Sequence, residues 1–216
     1  MGAMKPGLVL TDRRTGLPSV RFAGAPLLRP RYLLRHTFSG ASLTPSDQGP
    51  SFSVSESAPS VSGGVMAMGA SQPTGVFASG VGANLVAQMK VNFGNSAGAD
   101  RRASIQIRAS AYNGNVIEAL LSRSADQIAL WRRDAGAVTT LAAVNSAGLA
   151  DSTDYWLRIV ASGSNLQVLT STDGSAFTSR ITYSEPLYVA NTGLGIRLVD
   201  NGTRTITVDD LRVWTP

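Results

Sequence analysis

Four stretches in the last third of the chain decide the fold: Tyr155-Trp156-Leu157-Arg158-Ile159-Val160, Ser171-Thr172-Asp173-Gly174, Gly193-Leu194-Gly195-Ile196-Arg197 and Val208-Asp209-Asp210-Leu211-Arg212-Val213. Short apolar-alternating runs separated by Gly, Asn and Asp are the pattern of antiparallel strands joined by tight turns. In the last run Ile206 and Val208 share a parity that Leu211 and Val213 do not. A one-residue bulge near Asp209-Asp210 reconciles the two.

Upstream the alternation is stronger. Leu85, Ala87, Met89, Val91 and Phe93 oppose Asn84, Val86, Gln88, Lys90 and Asn92, and Ile105, Ile107, Ala109 and Ala111 oppose Ser104, Gln106, Arg108 and Ser110. Period two over this length predicts half-buried strands with one wet face. Asn113-Gly114-Asn115 reads as a hairpin turn into a strand over 116–122. Further strands are expected at 52–56, 65–68, 127–132, 138–144, 155–161, 166–171, 193–198 and 205–214. With no convincing helix, the expectation is an all-β, antiparallel two-sheet jelly-roll sandwich. A chain of 216 residues suffices for one large domain burying roughly 70% of its unfolded surface.

The order of these runs, the opening Thr37-Phe38-Ser39-Gly40, the Tyr155–Ile159 strand, the Ser171-Thr172-Asp173-Gly174 turn and the closing Val208-to-Val213 run together resemble concanavalin-A-like (laminin-G-like) jelly rolls. The resemblance covers roughly residues 34–214. It implies lectins, carbohydrate-binding modules, adhesive domains, viral fibre or spike domains and some glycoside hydrolases, so function must come from a site.

Catalysis is not expected. The laminarinase-like members of the resembling family carry Glu-x-Asp-x-x-Glu on one strand, whereas Glu56, Glu118 and Glu185 are isolated here. Asp209 and Asp210 are adjacent and would face opposite ways in a regular strand. His36 is the lone histidine, with no Gly-x-Ser-x-Gly elbow to serve; a junction histidine bonded to backbone is the better reading. No cofactor is expected. Calcium is the one metal considered, since jelly rolls hold it through carboxylates and carbonyls. Asp200, Asp209 and Asp210 are the candidates, without an ordered Asp-x-Asn-x-Asp loop to support them.

Trp131-Arg132-Arg133 is the candidate ligand contact: an exposed indole stacks on a sugar face and arginines grip acidic polysaccharide. The competing reading, a core Trp131 with arginines solvating a loop, is favoured by the usual burial of tryptophan. Trp156 is read as structural and Arg101-Arg102 as a solvated turn.

The charge is uneven. Residues 1–35 hold seven basic residues (Lys5, Arg13, Arg14, Arg21, Arg29, Arg31 and Arg35) against Asp12, and the remainder carries 12 basic and 13 acidic residues. The basicity therefore belongs to a Pro/Gly-rich extended arm, with one short strand near 19–22, ahead of a nearly neutral domain at 36–216. No secretory signal and no apolar run of transmembrane length is read, so synthesis in the host cytoplasm without membrane insertion is expected.

These readings converge on a structural protein of a phage or phage-like particle. Arg13, Arg14, Arg21, Arg29, Arg31 and Arg35 would dock it to other virion proteins, and the domain would display a lectin-like face to host-surface polysaccharide as a tail fibre or head spike. A homo-oligomer is expected. A decoration or cementing protein without ligand, and a polysaccharide-degrading enzyme, are the alternatives. A nucleic-acid role is disfavoured because the body is neutral and, apart from Phe22 and Tyr32, aromatics are not interleaved with the basic residues.

Overall fold

The computed structural model describes residues 8–11, 18–21, 32–40, 42–43, 47–68, 73–95, 100–203 and 205–216. The chain divides into residues 1–31 and residues 32–216. In the first unit β1 (Leu8–Thr11) and β2 (Pro18–Arg21) form an antiparallel hairpin, Leu8 opposite Arg21 and Thr11 opposite Pro18. Two strands thus stand where one was expected, and Pro18 takes the first position of its strand, where a missing N–H is tolerated.

The second unit is all-β among its described residues. In chain order it contains β3 (Tyr32–His36), β4 (Ser53–Val54), β5 (Ser60–Ser62), β6 (Val65–Ala67), β7 (Thr74–Ala78), β8 (Leu85–Asn92), β9 (Arg101–Ala109), β10 (Val116–Ser122), β11 (Gln127–Asp134), β12 (Ala137–Asn145), β13 (Asp154–Ser162), β14 (Asn165–Ser171), β15 (Thr178–Ser184), β16 (Gly193–Asp200) and β17 (Thr207–Trp214). A seven-stranded sheet runs β12-β11-β10-β9-β16-β7-β4, and an eight-stranded sheet runs β15-β14-β13-β8-β17-β6-β5 with β3 also on β17. All the named pairings are antiparallel.

The core lies between the sheets and follows the alternation. Leu85, Ala87, Met89, Val91 and Phe93 are fully buried, and Ile105, Ile107, Ile117, Ala119, Leu121, Leu157, Ile159, Val208, Leu211 and Val213 join them. The β17 bulge is where parity requires it: Asp209 pairs with Lys90 and Arg212 with Gln88, so two residues of β17 oppose the single Met89. Asp210 takes φ 50° there. The bulge also divides the far edge of β17, with Thr207 and Val208 meeting β6 and residues from Leu211 onward meeting β3.

Two local readings change. The sandwich begins at Tyr32, so Leu34 is core and Arg35 is a sheet residue. Asn113-Gly114-Asn115 is the tip of the longer loop 110–115, closed by Ser110 N–H to Asn115 O at 3.1 Å.

The β14–β15 turn is built on Asp173. Its carboxylate accepts from Ser171 Oγ at 2.7 Å, Ser175 N at 2.8 Å and Ala176 N at 2.9 Å. These bonds, the serine hydroxyl first, hold it well below the usual carboxylate range. A carboxylate whose folded pKa is depressed stabilises the fold fully above its unfolded value near pH 4, and that contribution is lost as pH falls. Asp173→Asn should therefore lower the melting temperature at pH 7, and the gap from wild type should close as thermal scans move below about pH 4. An equal gap at both ends would contradict this account of the turn.

Candidate functional site

The outer face of the seven-stranded sheet is the face predicted to be wet, and it is largely dry. Ser104, Gln106 and Glu118 are 3%, 0% and 2% exposed although they point away from the core. Register brings them together: Glu118 lies between Gln106 and Trp131, and Ser104 between Leu120 and Arg197. Glu118 accepts from Ser104 Oγ at 2.6 Å and from Arg133 Nε at 2.5 Å, so each carboxylate oxygen has a donor. Gln106 Nε2 donates to Asn113 Oδ1 at 2.6 Å, and Asn113 Nδ2 to Glu56 Oε1 at 3.0 Å.

The 110–115 loop is what dries this face. Tyr112 lies over Gly75, where any Cβ would fall 1.8 Å from the tyrosine Oη. Its hydroxyl donates to Glu56 Oε2 at 2.6 Å. Burial first, and then the glutamate, push the Tyr112 pKa far up. Arg197 completes the set with Nε 3.4 Å from Glu56 Oε2, close enough for charge attraction but without hydrogen-bond geometry. Buried polar groups are tolerated when satisfied in this way, and a satisfied network is rigid.

Trp131 stands half-buried on this bed, with the Arg102 and Arg133 guanidinium carbons 5.5 and 5.7 Å from its ring centroid. Its Nε1 is enclosed without an acceptor. Of the three residues read from sequence, Trp131 and Arg133 therefore share a face. Arg132 points to the other side, as period two demands, and pairs with Asp134 at 2.9 Å and Glu185 at 3.2 Å. Arg101-Arg102 is no solvated turn: Arg101 is 7% exposed and bonded to Asp151, while Arg102 is bonded to Asp100 and reaches Trp131. Trp156 is half-buried on the outer face of the eight-stranded sheet, against Gly174 and Lys90. His36 is 2% exposed and bonded to backbone, with Nε2 3.2 Å from Leu43 O and Nδ1 accepting Phe38 N–H at 3.0 Å.

The sequence matches no protein-family model and no curated protein. Solved structures do match. The carbohydrate-binding module CBM66 from Bacillus subtilis aligns with TM-score 0.60 at 11% identity, over 76% of this chain and 95% of that one. The CBM2 module of the Lactobacillus casei BL23 phage J-1 evolved Dit aligns with TM-score 0.60 at 13% identity, over 84% and 94%. The domain has the fold of a concanavalin-A-like jelly roll. A mutant of the GH43 protein BlXynB from Bacillus licheniformis has the same architecture, with TM-score 0.63 at 14% identity over 89% of this chain, which spans 41% of that protein.

Elsewhere in the jelly roll the acidic candidates lie apart. Asp200 accepts Gly202 N–H at 2.9 Å and Thr205 N–H at 3.0 Å, which shapes the crossing between sheets. Asp210 pairs with Arg212, while Asp209 faces Lys90, and burial raises the pKa of Asp209. The bulge puts both adjacent aspartates outside the core, where a regular strand would have split them. Among the described residues no group of three or more His, Cys, Asp or Glu side chains gathers as a metal site. Of the arm arginines, Arg13, Arg14, Arg29 and Arg31 lie outside the described residues, Arg21 ends β2 and Arg35 belongs to β3.

Proposed function

We propose that this jelly roll is a non-catalytic carbohydrate-binding module displayed on a phage or phage-like particle, docked through residues 1–31 and turned toward host-surface polysaccharide. The observation that carries the reading is Trp131 with Arg102 and Arg133, held on a hydrogen-bonded bed outside the core. Such a bed fixes the indole before any ligand arrives, which reduces the ordering cost of binding. The enclosed indole N–H lacks an acceptor of the kind a sugar hydroxyl supplies. The fold is shared with carbohydrate-binding modules, one of them from a phage Dit.

A hydrolytic role is disfavoured by the same bed. Glu118 has both oxygens occupied by Ser104 and Arg133, and Glu56 is tied to Tyr112 and Asn113. Neither is presented as a free acid or nucleophile of the kind a glycosidase uses. Homo-oligomerisation is part of the proposal. Its support is β12, a nine-residue edge strand without charge or proline, the kind of edge that pairs with another chain. Among the described residues no helix is long and apolar enough to cross a membrane.

The test is a glycan panel probed with the full chain and with Trp131→Ala. A buried aromatic anchor is worth about 2 kcal/mol or more, so affinity for the bound glycan should fall on the order of 30-fold. Equal affinity for the two proteins would remove Trp131 from the site.

A further inference from the structure

The opposite face of the jelly roll carries a row of three arginines. On the outer side of the eight-stranded sheet, Arg158 of β13 lies opposite Gln88 of β8, Gln88 opposite Arg212 of β17, and Arg212 opposite Arg35 of β3. Like charges facing each other on neighbouring strands are destabilising. One carboxylate offsets the row: Asp210, brought to this side by the bulge, pairs with Arg212. Among the described residues no carboxylate pairs with Arg158 or Arg35.

Each arginine is nonetheless held in place. Arg158 donates from Nε at 3.0 Å and Nη2 at 2.6 Å to Gln88 Oε1, and its guanidinium carbon lies 3.5 Å from the Phe177 ring centroid and 5.5 Å from that of Trp214. Among the described residues no acceptor meets Nη1. Burial, and then the charge of Arg212, lower the Arg158 pKa to about 10, so it remains a cation at neutral pH. Arg35 sits 5.9 Å from the Tyr32 ring with its Nε enclosed and without an acceptor. Tyr32 in turn meets Trp214 edge-on at 6.5 Å.

We infer that the Arg158–Arg212–Arg35 row is a second glycan site, on the face opposite Trp131, and that it takes the carboxylate or sulfate groups of an acidic polysaccharide. The planar guanidinium fork matches both groups. Three strand spacings of 4.7–4.9 Å separate the ends of the row, roughly 14 Å. That length suits a chain with spaced anionic groups. Beside the row, Lys90, Asn92, Asp154, Thr207 and Asp209 line a pocket of about 170 Å³ whose polar groups suit sugar hydroxyls. Single-stranded nucleic acid is the poorer fit, because it binds by stacking bases on free aromatic faces. Here Arg158 covers Phe177, and both Arg158 and Tyr32 crowd Trp214. A peptide strand has no edge to pair with, since β8 and β17 are bonded on both sides.

The ligand class rests on the glycan-binding reading above, whereas the site does not. The test titrates the full chain with polygalacturonate, dextran sulfate, neutral dextran and a single-stranded oligonucleotide, using wild type, Arg158→Gln, Arg35→Gln and Trp131→Ala. Wild type should bind at least one of the two acidic polymers and ignore neutral dextran at this face. Each arginine variant should weaken that binding on the order of tenfold, more than Trp131→Ala does. The bound polymer should also raise the melting temperature of wild type more than that of Arg35→Gln, a readout that survives if Arg158→Gln folds poorly. Acidic-polymer binding that both arginine variants retain would assign it to the arm and overturn the inference. So would no acidic-polymer binding, or tighter oligonucleotide binding lost in the same variants. Neutral-glycan binding lost in Trp131→Ala, together with no acidic-polymer binding, would uphold the first site while removing the second.

Discussion

Arg108→Ala should lower the melting temperature by roughly 10 °C, the largest effect expected of any single substitution outside the apolar core. Arg108 sits at φ 49° in β9 and is 0% exposed. It donates from Nε to Ala83 O at 3.1 Å, from Nη1 to Glu185 O at 3.5 Å and from Nη2 to Gly163 O, so one guanidinium ties three separate segments. Burial lowers its pKa, with Glu185 opposing, so part of its worth is spent on desolvation. Alanine would leave three carbonyls short of a donor and a cavity beside them, a loss of about 3–4 kcal/mol. A chain of this size loses about 2–4 °C per kcal/mol, which gives the stated shift. Arg108→Met keeps the volume and should lose roughly half as much. If thermal scans place the alanine variant within a degree or two of wild type, the guanidinium is not the tie described.

Removing residues 1–35 and removing residues 1–31 should give different proteins. The shorter deletion ends where the sandwich begins and should leave it folded. The longer one removes most of β3: Leu34, which is 0% exposed, and the pairing of Val213 with Leu34, Arg212 with Arg35 and Trp214 with Tyr32. Loss of the buried leucine alone costs about 2–5 kcal/mol. The lost ladder adds to that, a large share of the 5–15 kcal/mol typical of a domain. Circular dichroism melts of the two truncations check this. Equal stability would mean that β3 contributes nothing to the sheet. The docking proposal adds that the 1–31 deletion, though folded, fails to enter particles.

Much of the fold was legible because burial imposes period two. The β8 core residues and the β17 bulge follow from parity alone, since a slip of one residue would turn Val208 or Leu211 out of the core. The same rule shows, in retrospect, that Trp131 and Arg132 cannot share a face. β3 was hidden because Tyr32-Leu33-Leu34-Arg35-His36 follows a proline- and arginine-rich stretch whose composition argues against a strand. The dry bed under Trp131 was not legible. Ser104 and Gln106 read as solvent-facing, and the cover comes in part from Tyr112, anchored by Glu56 from much earlier in the chain. The arginine row needed register as well, because Arg35, Arg158 and Arg212 are aligned by strand pairing and not by spacing.

The proposed role of this jelly roll is to hold a particle's contact with host glycan. Its most direct test is saturable binding of the labelled full chain to host cells, with and without soluble host surface polysaccharide, alongside Trp131→Ala. The account predicts saturable binding that the polysaccharide abolishes and that falls on the order of 30-fold in the variant. No binding by a folded protein in its native oligomeric state, or binding indifferent to the polysaccharide, would contradict it and leave a role in cementing the particle.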